Sequence, residues 1–134
     1  MNLTADVQQI LKSAGETTLY RSTIPDGTDV PDELIALFEY SGLPYDIADS
    51  AFEQPSLQVV VRSLDFDTGL EKARRISDIL RFIGEPEKGA DSVRVGSTYY
   101  FRFAALQPPF KLKEDEAGRI YFAQNFRVWA RPAE

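Results

Sequence analysis

The side chains whose types and spacing come nearest to a reaction or a metal site are carboxylates. Asp65-Phe66-Asp67 stands where an apolar run, Leu57 to Arg62, gives way to an amphipathic stretch, and Asp26, Asp29, Asp32 and Glu33 crowd one earlier segment. Two carboxylates at a strand-to-helix junction can contribute to a divalent cation site, but Ca²⁺ wants about six or more oxygens. The same acids serve equally to cap the first turn of a helix at the positive end of its dipole, and capping is the favoured reading. The earlier group lacks the odd-position spacing and closing Glu of an EF-hand, and Pro31 interrupts it. Other chemistry is excluded by composition. The chain has no His and no Cys, which removes the best proton shuttle near neutral pH, the commonest transition-metal ligands, thiol nucleophiles and disulfides. Its eight glycines stand apart, with no Gly-Lys-Ser/Thr and no Gly-x-Ser-x-Gly, so neither a phosphate loop nor a nucleophile elbow is present. Folding can bring distant acids into a glycosidase-like pair, but nothing in the sequence marks one. The expectation is a protein with no cofactor and no metal, and not an enzyme.

The elements that position these residues belong to one α+β domain. At 134 residues, the chain has the length of a single domain, here taken as 1–134. No apolar run reaches the roughly 18 residues of a spanning helix, and the N-terminus lacks the basic start and apolar core of a signal peptide, so a cytosolic, non-membrane setting is expected. Leu3, Val7, Ile10, Leu11 and Ala14 form one helical stripe closed by Gly15. Thr17 to Ile24 reads as a strand ended by Pro25-Asp26-Gly27, and Leu34 to Tyr40 as a second strand. Residues 41–56 read as a loop. Leu57, Val59 and Val61 alternate with Gln58, Val60 and Arg62 as in a largely buried strand. Thr68-Gly69-Leu70-Glu71 has the spacing of a capping box before the stripe Leu70, Ala73, Ile76, Leu80, Ile83, and Gly84 ends that helix. Residues 85–96 read as a polar loop. Ser97 to Leu106 follows as a strand broken by Pro108-Pro109, and the turn at Asp115–Gly118 leads into a long strand from Arg119 to Ala130. The order α-β-β-β-α-β-β implies a mainly antiparallel or mixed sheet of four to five strands with two helices packed on one face.

Charge is unevenly spread along the chain. The net charge is −6, which disfavours a nucleic-acid partner. Residues 94–134 carry seven Lys and Arg against four Asp and Glu, a net +3, whereas residues 1–93 carry −9. On the final strand Ile120, Phe122, Phe126 and Val128 point one way. The opposite side holds Arg119, Asn125, Arg127, Trp129 and Arg131. A solvated strand face explains this pattern. So does an interface anchored by Arg and Trp, and unlike surfaces of opposite charge suit head-to-tail association.

Glu39–Pro44, Leu57–Arg62, the helix from Ala73 to Gly84, Asp115–Arg119 and Phe122–Val128, in this order and separation, resemble the minor capsid or tail terminator family of long-tailed bacteriophages. The resemblance runs from about Tyr20 to Trp129. It implies a structural virion protein that caps the head-proximal end of the tail tube as a hexameric ring, stops polymerisation and docks the head connector. It brings no catalytic residues. The implied partners are further copies of the chain, the tail tube protein and the head connector or completion protein, with DNA free to pass through the ring. The implied location is the virion, after assembly in the host cytoplasm. Arg62 and Arg127, on strand faces, are candidates to bridge to acids of the same or a neighbouring subunit. The acidic loop after Ile24 and the segment 85–96 depart from the family pattern. A head–tail joining protein is the alternative within phage structure; a small-ligand-binding or hydrolytic domain using Asp65 and Asp67 is the alternative outside it.

Overall fold

The computed structural model describes residues 1–43, 53–85 and 91–133. Its elements are α1 (Leu3–Ser13), β1 (Leu19–Arg21), β2 (Leu34–Leu43), β3 (Gln54–Ser63), α2 (Phe66–Arg81), β4 (Val93–Val95), β5 (Thr98–Ala105), β6 (Phe110–Glu114) and β7 (Ile120–Pro132). The strands form one seven-stranded sheet in the order β1-β2-β3-β7-β5-β4, with β6 also on β7. All neighbours are antiparallel except β1 and β2. This is the expected α+β class with more strands than the four to five read from sequence.

β7 organises the sheet. Residues 120–127 pair with β3 along one edge, and the other edge is shared: β6 takes residues 120–123 and β5 takes 126–132. The handover falls at Asn125, whose backbone carbonyl accepts from Leu106 N–H at 2.9 Å and whose N–H donates to the Gln107 side chain at 3.1 Å. The strand's backbone groups therefore stay paired where its partners change.

Period-2 alternation sorts the strand side chains into two layers. Ile35, Leu37, Leu57, Val59, Val61, Phe122, Phe126 and Val128 meet Leu3, Val7 and Leu11 of α1 and Ala73, Ile76 and Leu80 of α2 in one core. Burying each Val, Leu, Ile or Phe side chain of this core stabilises the fold by about 1.5–3 kcal/mol. On the opposite face Leu34, Ala36, Val60, Tyr121 and Ala123 form a smaller cluster under Ile24 and Val30 of the segment joining β1 to β2. Both helices thus lie on one face, and part of the other is roofed by a loop.

Several local readings shift. β1 spans three residues, not Thr17–Ile24, because Thr18 and Ser22 adopt left-handed φ of 59° and 63° that an extended run cannot contain. β2 continues through Ser41 and Gly42 to Leu43, past an irregularity after Tyr40; the turn read at Gly42–Pro44 runs on into residues outside the described ones, as do parts of the loops read at 41–56 and 85–96. β4 and β6 are additional strands. α2 begins at Phe66, so Thr68 lies inside it and Asp65 is the cap: its carboxylate accepts from Thr68 N–H at 2.9 Å and from the Thr68 hydroxyl at 2.7 Å. Those bonds hold the Asp65 carboxyl below its ordinary pKa.

Candidate functional site

The six candidate interface residues separate into three environments. Asn125, Arg127, Trp129 and Arg131 lie on the helix-free face of β7, alternating with the core residues Phe126, Val128 and Ala130. Asn125 accepts from the Gln58 side chain at 3.1 Å, which ties the face to β3.

Arg62 is different. It is wholly buried, and its guanidinium donates to the carbonyls of Asp32 at 3.0 Å and Pro31 at 2.8 Å. The alternation placed it on the helix-free face correctly, but there the β1–β2 segment covers it. It is not available to a neighbouring subunit, and it acts as an internal brace of the acidic loop.

Arg119 precedes β7. It donates from Nε to Asp115 at 2.8 Å, and its Nη1 lies 3.9 Å from Asp32. Asp115 also accepts from the backbone N–H of Ala117 and Arg119 and from the Tyr121 hydroxyl. Partial burial pushes the Asp115 pKa up, but these donors outweigh it and hold the carboxyl down at about 2. A group depressed in the folded state contributes stability above its ordinary value and loses that contribution as pH falls through the folded one. Asp115→Asn is therefore expected to flatten the acid limb of the stability profile between about pH 4 and pH 2, as read from thermal melts across that range. An unchanged acid limb would contradict this role for the hairpin.

β5 and β4 complete the surface that β7 begins. Cross-strand register sets Tyr99 opposite Arg131, Arg102 opposite Trp129 and Ala104 opposite Arg127, and Arg94 of β4 opposite Tyr99. Arg102 lies over the Trp129 ring at 6.0 Å, Arg131 over Phe101 at 5.3 Å and Arg94 over Tyr99 at 5.8 Å. Tyr99 and Phe101 lie ring to ring at 6.1 Å. The irregularity between Tyr100 and Arg102 adds Phe101 to this side, while Tyr100 and Phe103 stay in the core. The result is a ladder of guanidinium groups over aromatic rings. Cation–π contact helps to set Arg94, Arg102 and Arg131 against the rings. Sequence reasoning found the β7 half of the ladder and missed the β4–β5 half, because the bulge displaces Phe101 and Arg102 from simple alternation.

Such a face offers fixed cationic donors and large, low-entropy aromatic area. It holds no nucleophile with an adjacent base. Among the described residues, no group of three or more His, Cys, Asp or Glu could hold a metal ion, and no helix is long and apolar enough to cross a membrane. What the surface is equipped to do is grip an acidic partner surface.

A family model described as a bacteriophage tail terminator protein matches residues 10–130. No curated protein matches the chain. Among solved structures, a chain from the virion of a native gene transfer agent particle is similar in fold, with a TM-score of 0.59 and 20% identity, over 96% of this chain and 94% of that one.

Proposed function

Because the chain belongs to the bacteriophage tail terminator family, whose members are structural virion proteins, we propose that it caps the head-proximal end of the tail tube as a hexameric ring. There it ends tube polymerisation and offers a docking surface to the head connector. The mechanism is steric and electrostatic. A docked ring covers the edges and loops that would receive the next tube subunit and replaces them with a surface of different charge. No bond is made or broken in this role.

The observation that carries the reading to named residues is the ladder on β4, β5 and β7. Its open face combines at least four arginines with Tyr99, Phe101 and Trp129, the residue types that dominate binding energy in protein interfaces. Arg127, Trp129 and Arg131 are the anchors, and Asn125 sets their border with β3. Arg119 supports the surface from the hairpin.

Removing the gene from a particle-producing strain tests the reading. Tails of uncontrolled length or heads without tails are expected, and restoration by the wild-type gene but not by an Arg127→Glu, Arg131→Glu double variant. Full restoration by the double variant would remove the ladder from the proposal.

A further inference from the structure

The helix-facing side of β7 and the buried side of α2 each break their apolar series once. Along β7, Phe122, Phe126 and Val128 enter the core, and Gln124 stands among them only 4% exposed; along α2, Ser77 stands among Ala73, Ile76 and Leu80, also 4% exposed. A polar group in such company costs stability unless it is hydrogen-bonded. Gln124 Nε2 donates to the Gln107 carbonyl at 2.8 Å. Gln124 Oε1 and the Ser77 hydroxyl, however, have no hydrogen-bond partner among the described residues. Neither atom is sealed from solvent as Glu33 Oε2 and Arg62 Nη1 are. Both residues open onto one cleft of about 450 Å³ between α2 and the connection from β5 to β6.

The cleft lies on the helix side of the sheet, away from the ladder, and its walls are stiff. Pro108 and Pro109 form one of them. Gln107 is fixed because its Oε1 accepts from the Asn125 N–H at 3.1 Å, which leaves its Nε2 as an open donor. Arg74 and Arg81 stand exposed at the rim. Arg81 is paired with Asp78, so together they carry no net charge. Arg74 has no hydrogen bond, ion pair or ring contact among the described residues, and it gives the cleft one uncompensated positive charge. A lone cation beside the Asp78 carboxylate is a poor match for DNA, whose binding takes a row of cations. The open donors of Arg74, Gln107 and Ser77 call for a carboxylate, and Gln124 Oε1 calls for an N–H. An acidic side chain carried on a peptide supplies both.

We propose that this cleft receives an acidic side chain of a partner protein, its carboxylate held by Arg74 and the Ser77 hydroxyl while a peptide N–H of the same segment donates to Gln124 Oε1. The volume lies within the range of ligand pockets, and the two proline rings keep it open before the partner arrives, which lowers the ordering cost of binding. The two polar breaks in the apolar series then have a use: their missing hydrogen bonds are supplied by the partner.

Two measurements test the site. In the first, the purified chain is titrated to tens of millimolar with acetyl-glutamate methylamide or its neutral counterpart acetyl-glutamine methylamide, and the side-chain amide signals of Gln107 and Gln124 are followed by NMR. Saturating shifts are expected with the glutamate probe, with binding about threefold to fivefold weaker for the glutamine probe and for Arg74→Gln, as befits an exposed ion pair. Ser77→Ala is expected to weaken binding without lowering the thermal midpoint, since the fold leaves that hydroxyl unpaired. Equal shifts with both probes, shifts elsewhere only, or no shifts would overturn the site, and a midpoint lowered by more than about 3 °C in Ser77→Ala would make that hydroxyl structural. The second measurement rests on the assembly role proposed above. In the gene-deleted strain, Arg74→Glu is expected to lower the yield of properly tailed particles about tenfold or more, because it sets like charges against one another, whereas Arg74→Lys keeps most of the yield. Full yield from Arg74→Glu, with the probe still binding wild type, would overturn docking of a partner and leave a site for a free carboxylate. Normal particles from the deletion strain itself would overturn the assembly role instead, and the cleft is then judged by the probes alone. Thermal melts check that Arg74→Glu folds; if it does not, Arg74→Gln takes its place and is read in the same way.

Discussion

Gly84→Ala is expected to destabilise the protein by more than about 4 kcal/mol, a large share of the stability of a domain this size. Gly84 follows the end of α2 with φ of +83°, and a Cβ there would stand 2.0 Å from the carbonyl oxygen of Phe101. The left-handed backbone alone would cost Ala about 1 kcal/mol. The larger cost is the collision, because Phe101 lies at the irregularity of β5 between Tyr100 and Arg102, both paired with β7. The carbonyl cannot retreat without disturbing the ladder or the core. Gly15→Ala is the control: its φ is +97°, but nothing lies within 4 Å of the added Cβ. A thermal midpoint lowered by more than about 10 °C for Gly84→Ala and only a few degrees for Gly15→Ala is expected. Equal shifts would show that the close approach of α2 to β5 is unimportant.

Arg62→Ala is expected to cost about 3–5 kcal/mol, the range for truncating a buried, hydrogen-bonded group that leaves both a cavity and unpaired carbonyls. Arg62→Met restores most of the volume without the donors, and its cost is expected to be about half. Arg62→Lys falls between wild type and Ala, since one ammonium does not reproduce a planar fork bridging two carbonyls. Denaturant titration gives the order, and hydrogen exchange locates the effect. Amides of residues 22–33 are expected to exchange faster in Arg62→Met than in wild type. An unchanged loop would contradict the bracing role.

Arg62 also shows where sequence reasoning stops. Alternation identified the face correctly, because the strand period is local and Leu57, Val59 and Val61 declare the core side. It could not show that a loop 30 residues away in sequence folds back over that face and turns an outward arginine into a buried one. The helices are legible for the same local reason, and of the two caps the sequence offers for α2, Asp65 and Thr68, the backbone selects Asp65. β4 was too short to declare a period, and β6, exposed along its whole length, has no burial pattern to read. At the candidate surface Asn125, Arg127, Trp129 and Arg131 were visible as one side of a strand. Their partners Arg94, Tyr99, Phe101 and Arg102 were not, since pairing between β7 and β5 is non-local and its register is broken by a bulge. Under the docking role proposed for this surface, arginine and aromatic side chains would supply the contacts.

The length distribution of tails made without this protein tests the central claim most directly. Electron microscopy of particles from the gene-deleted strain is predicted to show tubes of broadly scattered length, or tails and heads that remain unjoined, with a single sharp length returning when the wild-type gene is supplied. Tails of normal, uniform length joined to heads in the deletion strain would contradict a role in ending the tube.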